Sequence, residues 1–286
     1  MKVLVYGSTG WIGSQLYEIL KELKINVYKS TCRLEEYHNI SLELDRIKPS
    51  HVLLTAGLTG RPNVDWCEDH KEDVVSVNVI GTSVLASECQ KRDIHLTYMG
   101  TGCIYEYDND HTIENLVGFL EEDKPNFEKS FYSKTKILTE KILETMNNVL
   151  ILRIRMPLSD DLSPRNFITK ITKYEKVVNV PNSMSILTDL LPVVIDMLIK
   201  RKTGKYNFTN PGVVSHNEIL TLYKKHIDPN FTWNNFTLEQ QSKILKAGRS
   251  NNCLNSSKLC KEYPEIPHIS KSIISLFQRM AANLQI

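Results

Sequence analysis

Tyr132 and Lys136 stand one helical turn apart in Tyr132-Ser133-Lys134-Thr135-Lys136. At that spacing a lysine ammonium can sit beside a phenol and lower its pKa from the ordinary value of about 10. Such a phenol can donate a proton to a carbonyl that receives hydride. The alternative is an exposed lysine next to a half-buried tyrosine. Upstream, the run Ile94-His95-Leu96-Thr97-Tyr98 leads into Met99-Gly100-Thr101-Gly102-Cys103-Ile104-Tyr105. Thr101 follows the run at the place where an open α/β sheet binds ligands, and its hydroxyl could polarise a carbonyl together with Tyr132. Cys103 is either a small buried hydrophobe, the usual role of a lone cysteine, or an acid/base group beside these hydroxyls.

A second constellation lies at the N-terminus, where Gly7-Ser8-Thr9-Gly10-Trp11-Ile12-Gly13 joins the apolar run Val3–Tyr6 to a helical pattern. Gly7 permits a tight turn, Gly10 lets the backbone approach a pyrophosphate, and Gly13 lets the helix pack close to the strand. The helix N-terminus then faces the phosphates. Candidate cofactor contacts are Gly7, Thr9, Gly10, Trp11, Ile12 and Gly13, joined by Ala56 and Gly57 after the third strand pattern. A purely structural turn is the alternative. An acidic residue about 20 positions further on would hold the ribose of NAD. Tyr28-Lys29-Ser30-Thr31-Cys32-Arg33 has none. The planar fork of Arg33 suits the 2′-phosphate of NADP, with Glu35 acting against it, so NADPH is the expected cofactor and NADH a weaker substitute.

These groups need a scaffold, and the pattern around them supplies one. Strand-like runs at 3–6, 25–28, 51–54, 94–98 and 149–153 alternate with helical patterns at 11–23, 40–47, 74–91 and 132–146. That alternation predicts βαβ units and a doubly wound parallel sheet of the Rossmann type. Beyond Met156 the pattern loosens: a loop at 162–166 opens a helix, a short strand covers 177–180, a long helix 185–200 and a strand 206–208. The expected organisation is a cofactor domain over 1–155, with returns near 185–210, and a smaller interleaved substrate lobe over 156–286.

With 286 residues, 41% hydrophobic and 24% charged, the chain has an ordinary globular composition. Thirty-five Lys plus Arg against 33 Asp plus Glu leaves +2, and no basic block offers a footprint for nucleic acid or an anionic membrane. The apolar run Leu190–Ile199 is too short to span a bilayer, and the start carries no secretory pattern. The six cysteines form no Cys-x-x-Cys pair and no metal-ligand spacing. Free thiols in a reducing cytoplasm, and no metal, are expected.

Longer strings carry a resemblance. The glycine loop, Cys32-Arg33-Leu34-Glu35, Thr59-Gly60-Arg61-Pro62-Asn63-Val64-Asp65-Trp66-Cys67-Glu68, Thr101 to Asp108, Pro164 to Lys170 and Asn207 to His216 resemble an extended short-chain dehydrogenase/reductase family. More narrowly, they look like the bifunctional UDP-4-keto-6-deoxyglucose 3,5-epimerase/4-reductases of plant-type UDP-rhamnose synthesis. The likeness to dTDP-4-dehydrorhamnose reductase and GDP-fucose synthase is more distant. It implies NADPH-dependent conversion of UDP-4-keto-6-deoxy-D-glucose to UDP-L-rhamnose, with a homodimer as the family expectation. The chain begins at the reductase glycine loop, so a separate 4,6-dehydratase is expected to supply the keto sugar.

The same resemblance assigns roles. GDP-fucose synthase places a cysteine two residues after its catalytic hydroxyl, as Cys103 follows Thr101. Its second acid/base group is a histidine; the matching region here holds Lys170 instead. Asn78 resembles the asparagine that organises the family active site. Asn166 resembles a nucleotide contact, and Arg249 lies where relatives carry a diphosphate-binding arginine. Arg61 is a further substrate candidate, with a solvated surface arginine as its alternative. A 4-keto reductase without epimerase activity, and a silent NADP-binding regulatory subunit like the one associated with methionine adenosyltransferase, are the competing readings.

Overall fold

The structure, a computed structural model, describes residues 1–285. The first half runs β1 (Lys2–Tyr6), α1 (Trp11–Glu22), β2 (Asn26–Lys29), α2 (Tyr37–Ile47), β3 (His51–Leu54), α3 (Trp66–Asp69), α4 (Lys71–Val74), a π-helical segment Val75–Gly81, α5 (Thr82–Lys91), β4 (His95–Thr101), α6 (Phe131–Leu143) and β5 (Val149–Ile154). The second half adds α7 (Phe167–Ile171), β6 (Lys176–Val177), α8 (Leu187–Ile199), β7 (Gly204–Asn207), α9 (His216–His226), β8 (Asn234–Asn235), α10 (Leu238–Ser242), α11 (Ser257–Glu262) and α12 (Ile269–Leu284).

Val3, Leu4, Val5 and Tyr6 are all buried, as are His51 to Leu54 and His95 to Thr101. Strands buried on both faces belong inside a parallel sheet covered by helices. The sheet order is β2-β1-β3-β4-β5-β7, with β1 parallel to β2 and β3, and β3 parallel to β4. The direction of winding reverses between β1 and β3, so the crevice beyond their carboxyl ends is the topological switch point. Gly7 and Ala56 lie there. A side chain on Gly7, whose φ is +83°, would meet the Ala56 nitrogen at 2.6 Å. A Cβ on Gly13 would lie 2.2 Å from the Gly7 carbonyl, so α1 packs this close to the turn only with glycine there.

Two compact units emerge: residues 1–104, 127–153 and 191–206 form one, and residues 105–126, 154–190 and 207–286 the other. The first has a core of Leu4, Tyr6, Leu44, Leu54, Leu85, Leu96 and Ile151 with their neighbours. The second is built on Leu158, Ile186, Leu220, Ile273, Leu276 and Phe277. All six cysteines are free thiols. Among the described residues no helix is long and apolar enough to cross a membrane.

Several element boundaries depart from the sequence pattern. The helix expected over 74–91 is broken into α4, a π-helical segment and α5. Within that segment a Cβ on Gly81 would meet the Leu34 carbonyl at 2.2 Å, a close approach that periodicity does not report. The strand expected over 94–98 continues to Thr101, so the Thr101 hydroxyl sits on the strand end and not in the loop after it. The strand expected over 177–180 shrinks to Lys176–Val177, because its partner β8 offers only two residues. Among the described residues five helices carry no counterpart in the sequence pattern: α3, α9, α10, α11 and α12.

Candidate active site

Strand β4 delivers Thr101 and, just beyond it, Cys103; α6 delivers Tyr132 and Lys136. Helix α6 begins where it does because Ser130 caps it, its hydroxyl accepting from the Ser133 N–H at 3.1 Å. The Phe131 N–H is taken by the Glu68 carboxylate at 2.7 Å. Further along, the Thr139 hydroxyl donates to the Asn78 carbonyl at 2.8 Å. Arg153 grips Glu140 in a buried ion pair at 2.5 Å. The face carrying Tyr132 and Lys136 is thereby held against the first unit's core.

The Thr101 hydroxyl accepts from the Cys103 N–H at 3.1 Å and lies near enough to the Tyr132 phenol to favour its ionised form. Cys103 is half-buried and packs with Tyr132, Cys67 and Val74. Lys136 is buried, and its ammonium donates to the Tyr98 phenol at 2.5 Å while lying 4.6 Å from the centre of that ring. The Tyr132 ring is further away, at 6.0 Å. Burial lowers Lys136 to about 8. Burial raises Tyr132, with the Cys103 charge adding to the effect and the Thr101 hydrogen bond opposing it. The expectation that Lys136 depresses the Tyr132 pKa is therefore corrected: in this protein desolvation dominates, and the phenol stays protonated. Carbonyl reduction requires the proton-donating form, so the arrangement suits that step without any depression.

Around the switch point, Gly10 caps α1 with no side chain in the way of its first turn. Thr9 and Gly10 are exposed, and Trp11 and Ile12 half-buried. An exposed glycine cradle at a helix N-terminus fits a dinucleotide pyrophosphate. Gly57 is exposed; a Cβ there would lie 3.4 Å from Asn78 Oδ1 and 3.9 Å from Lys136 Nζ, so the β3 exit and the ammonium adjoin. Asn78 is buried, its Oδ1 accepting from the Leu58 N–H at 2.8 Å and its Nδ2 donating to the Leu58 carbonyl at 2.9 Å. Asn78 therefore holds the backbone beside Gly57, in keeping with the organising role expected of it.

Beyond β2, the Arg33 side chain is 79% exposed and lies 3.5 Å from Glu35. The turn beneath it is tied down by buried Glu43, which accepts from Ser30 Oγ at 2.6 Å and the Thr31 N–H at 2.9 Å. Arg61 is exposed.

The remaining candidates belong to the second unit. Lys170 sits in the last turn of α7, half-buried, with burial and then Arg165 lowering its pKa. Asn166 caps the same helix and is fully buried, donating to the Ser159 and Asp161 carbonyls, each at 2.7 Å. Through these bonds it shapes the loop from inside. Arg249 donates to the Ala247 carbonyl at 2.7 Å. Its neighbour Ser250 is anchored by buried Arg155, whose Nη1 donates to Ser250 Oγ at 2.9 Å and whose Nη2 donates to the Ser250 carbonyl at 2.7 Å. Pattern reading missed Tyr98, Ser133, Glu43 and Arg155. No local spacing marks them, since each acts on residues distant in sequence. Among the described residues no group of three or more His, Cys, Asp or Glu is placed to hold a metal ion.

A glycine turn at the switch point of a parallel sheet, together with a Tyr-x-x-x-Lys helix beside a strand-end threonine, defines a Rossmann-type short-chain dehydrogenase/reductase. Residues 1–217 match the family described as RmlD substrate binding domain, and the chain belongs to that family. It is 53% identical over 272 residues to a bifunctional dTDP-4-dehydrorhamnose 3,5-epimerase/dTDP-4-dehydrorhamnose reductase of Arabidopsis thaliana, covering 95% of this chain and 90% of the relative. A trifunctional UDP-glucose 4,6-dehydratase/UDP-4-keto-6-deoxy-D-glucose 3,5-epimerase/UDP-4-keto-L-rhamnose-reductase of the same plant is 52% identical, and the chain spans 41% of its length. The crystal structure of a UDP-rhamnose synthase from Acanthamoeba polyphaga mimivirus superposes with a TM-score of 0.92 at 44% identity, covering 98% of this chain and 99% of that one.

Proposed function

We infer that the protein epimerises UDP-4-keto-6-deoxy-D-glucose at C3 and C5 and reduces the product at C4 with NADPH, yielding UDP-L-rhamnose. One observation carries the reading: Cys103 packs against the cluster that contains Tyr132, and its backbone N–H donates to the Thr101 hydroxyl, so a candidate epimerase thiol adjoins the reductase hydroxyls. A reductase alone has no use for an ionisable thiol there, and a silent regulatory subunit has no use for the cluster.

The C4 carbonyl acidifies the protons on C3 and C5, and the enolate oxygen formed on removing either one is stabilised by the Thr101 and Tyr132 hydroxyls. Cys103 and Lys170 are the two proton-transfer groups, since inversion needs removal from one face and return on the other. Burial, which lowers Lys170, brings an amine toward the range where it can act as a base. Bound at the Gly7–Gly13 turn, NADPH would supply the hydride for C4. Tyr132 then gives its proton to the C4 oxygen, and the Lys136 ammonium, next to Gly57, steadies the cofactor ribose. The first unit binds the cofactor through Gly7 to Gly13, Ala56, Gly57 and Arg33, and Arg249 and Arg61 are the candidate cations for the nucleotide diphosphate. A 4,6-dehydratase provides the keto sugar, and the working form is a homodimer in the cytoplasm.

The test supplies purified protein with NADPH and either the UDP- or the dTDP-linked 4-keto-6-deoxyglucose, and identifies the product by NMR. The expected product is the L-rhamnosyl nucleotide, formed faster from the UDP sugar. A D-configured 6-deoxyhexose would mean reduction without epimerisation, and no turnover of either sugar would leave the silent reading.

A further inference from the structure

The hydroxyl of Ser133, the residue after Tyr132, points back into the β4 exit and not out to solvent. Ser130 accepts from the Ser133 N–H and donates its own hydrogen to Ser133 Oγ at 2.8 Å. This leaves the Ser133 hydrogen for the Cys103 carbonyl, 2.6 Å away. The direction is fixed, because a carbonyl can only accept. Ser130 and Ser133 are 2% and 1% exposed, so water does not compete for these bonds. On its other side, the Cys103 N–H donates to Thr101 Oγ1 at 3.1 Å. The peptide units flanking Cys103 are thus held from both ends, one by the strand-end hydroxyl and one by the helix that carries Tyr132.

We propose that Ser133 is a positioning residue for epimerisation: by clamping the Cys103 carbonyl to α6 it sets where the Cys103 thiol stands relative to the Thr101 and Tyr132 hydroxyls. The role rests on the reading of Cys103 as a proton-transfer group. Lys136 and Tyr132 make no contact through this bond, and Thr101 meets Cys103 at its N–H and not at the clamped carbonyl, so removing the clamp should weigh on the thiol more than on Thr101, Tyr132 and Lys136. Hydride transfer needs only that trio, whereas proton exchange at C3 and C5 needs the thiol at a defined distance.

The experiment compares Ser133→Ala, Ser133→Thr and Cys103→Ala with wild type in two assays. Solvent deuterium entering UDP-4-keto-6-deoxyglucose without NADPH reports epimerase proton transfer, and NADPH oxidation by UDP-4-keto-L-rhamnose reports reduction alone. Exchange by Ser133→Ala should fall about tenfold, the scale of one hydrogen bond that orients a reacting group, with reduction changed far less. Ser133→Thr, which keeps the hydroxyl, should exchange faster than Ser133→Ala. NADPH binding by each variant checks that the first unit is folded. Equal losses in both assays would assign Ser133 a merely structural role and overturn the proposal. So would wild-type exchange by Ser133→Ala where Cys103→Ala has lost it. Wild-type exchange by Cys103→Ala would instead remove the reading of Cys103 itself, and the Ser133 role with it.

Discussion

Lys136 and Tyr132 are driven in opposite directions by the same cause, since burial disfavours an ammonium and a phenolate alike. At neutral pH the pair is an ammonium beside a protonated phenol. With Lys136 near 8 in the folded protein and about 10.4 in an unfolded chain, the unfolded state holds that proton more tightly. Deprotonation of Lys136 therefore adds stability as pH rises from about 8 towards 10.4, while activity, which needs the ammonium, falls through the lower part of that window. We expect kcat/KM for reduction of UDP-4-keto-L-rhamnose to decline as pH passes about 8. Tyr98→Phe removes the acceptor of the ammonium and should move this limb to lower pH. A profile that stays flat to pH 10 in the wild type would remove Lys136 from its role.

The elements around the cofactor are aimed by contacts that span loops. The turn after β2 presents Arg33 outward because Glu43, inside α2, satisfies Ser30 and Thr31 beneath it. The buried Glu43 carboxylate is thereby used internally and is not offered to a ribose 2′-hydroxyl. Arg33→Ala should weaken NADPH binding relative to NADH by about 1–3 kcal/mol, the range of a charge-assisted contact. Fluorescence titration with both nucleotides checks it; equal losses for the two would assign the 2′-phosphate to another group. Helix α9 illustrates what local chemistry announces, since Ser215 and Glu218 form a full capping box. The π-helical segment that carries Asn78 illustrates the opposite, since it ends at Gly81, whose close approach to the Leu34 carbonyl is made across the fold.

Each compact unit has its own core and buries at least one histidine, His51 and His95 in the first and His216 in the second. His51, at the start of β3, and His216, at the start of α9, are both lowered to about 4, chiefly by burial. His216 has Nδ1 buried without a partner and its ring edge-on to Phe167. Their folded pKa values lie below the unfolded value of about 6.5, so the unfolded state binds more protons between the two. Stability should therefore fall as pH drops from about 6.5 to about 4, at up to about 1.4 kcal/mol per pH unit for each histidine. Urea denaturation at pH 7 and pH 4.5 measures the slope. His216→Gln should flatten it, and an unchanged slope in that variant would show that the site is not the source.

The parallel alternation, the glycine turn and the Tyr-x-x-x-Lys helix are legible in the chain because each is written in short-range periodicity or in residues a few positions apart. Backbone geometry and helical spacing translate such patterns directly into structure. The roles of Cys103, Asn78 and Asn166 are different. Whether Asn166 meets a nucleotide or caps α7, and whether Cys103 is free to shift or held at both its N–H and its carbonyl, depends on partners that lie far along the chain. The direction of the Tyr132 shift is of the same kind: a neighbouring lysine is visible in the sequence, but the low-dielectric surroundings that outweigh it exist only once β4, α6 and the residues packed on them have closed around the phenol.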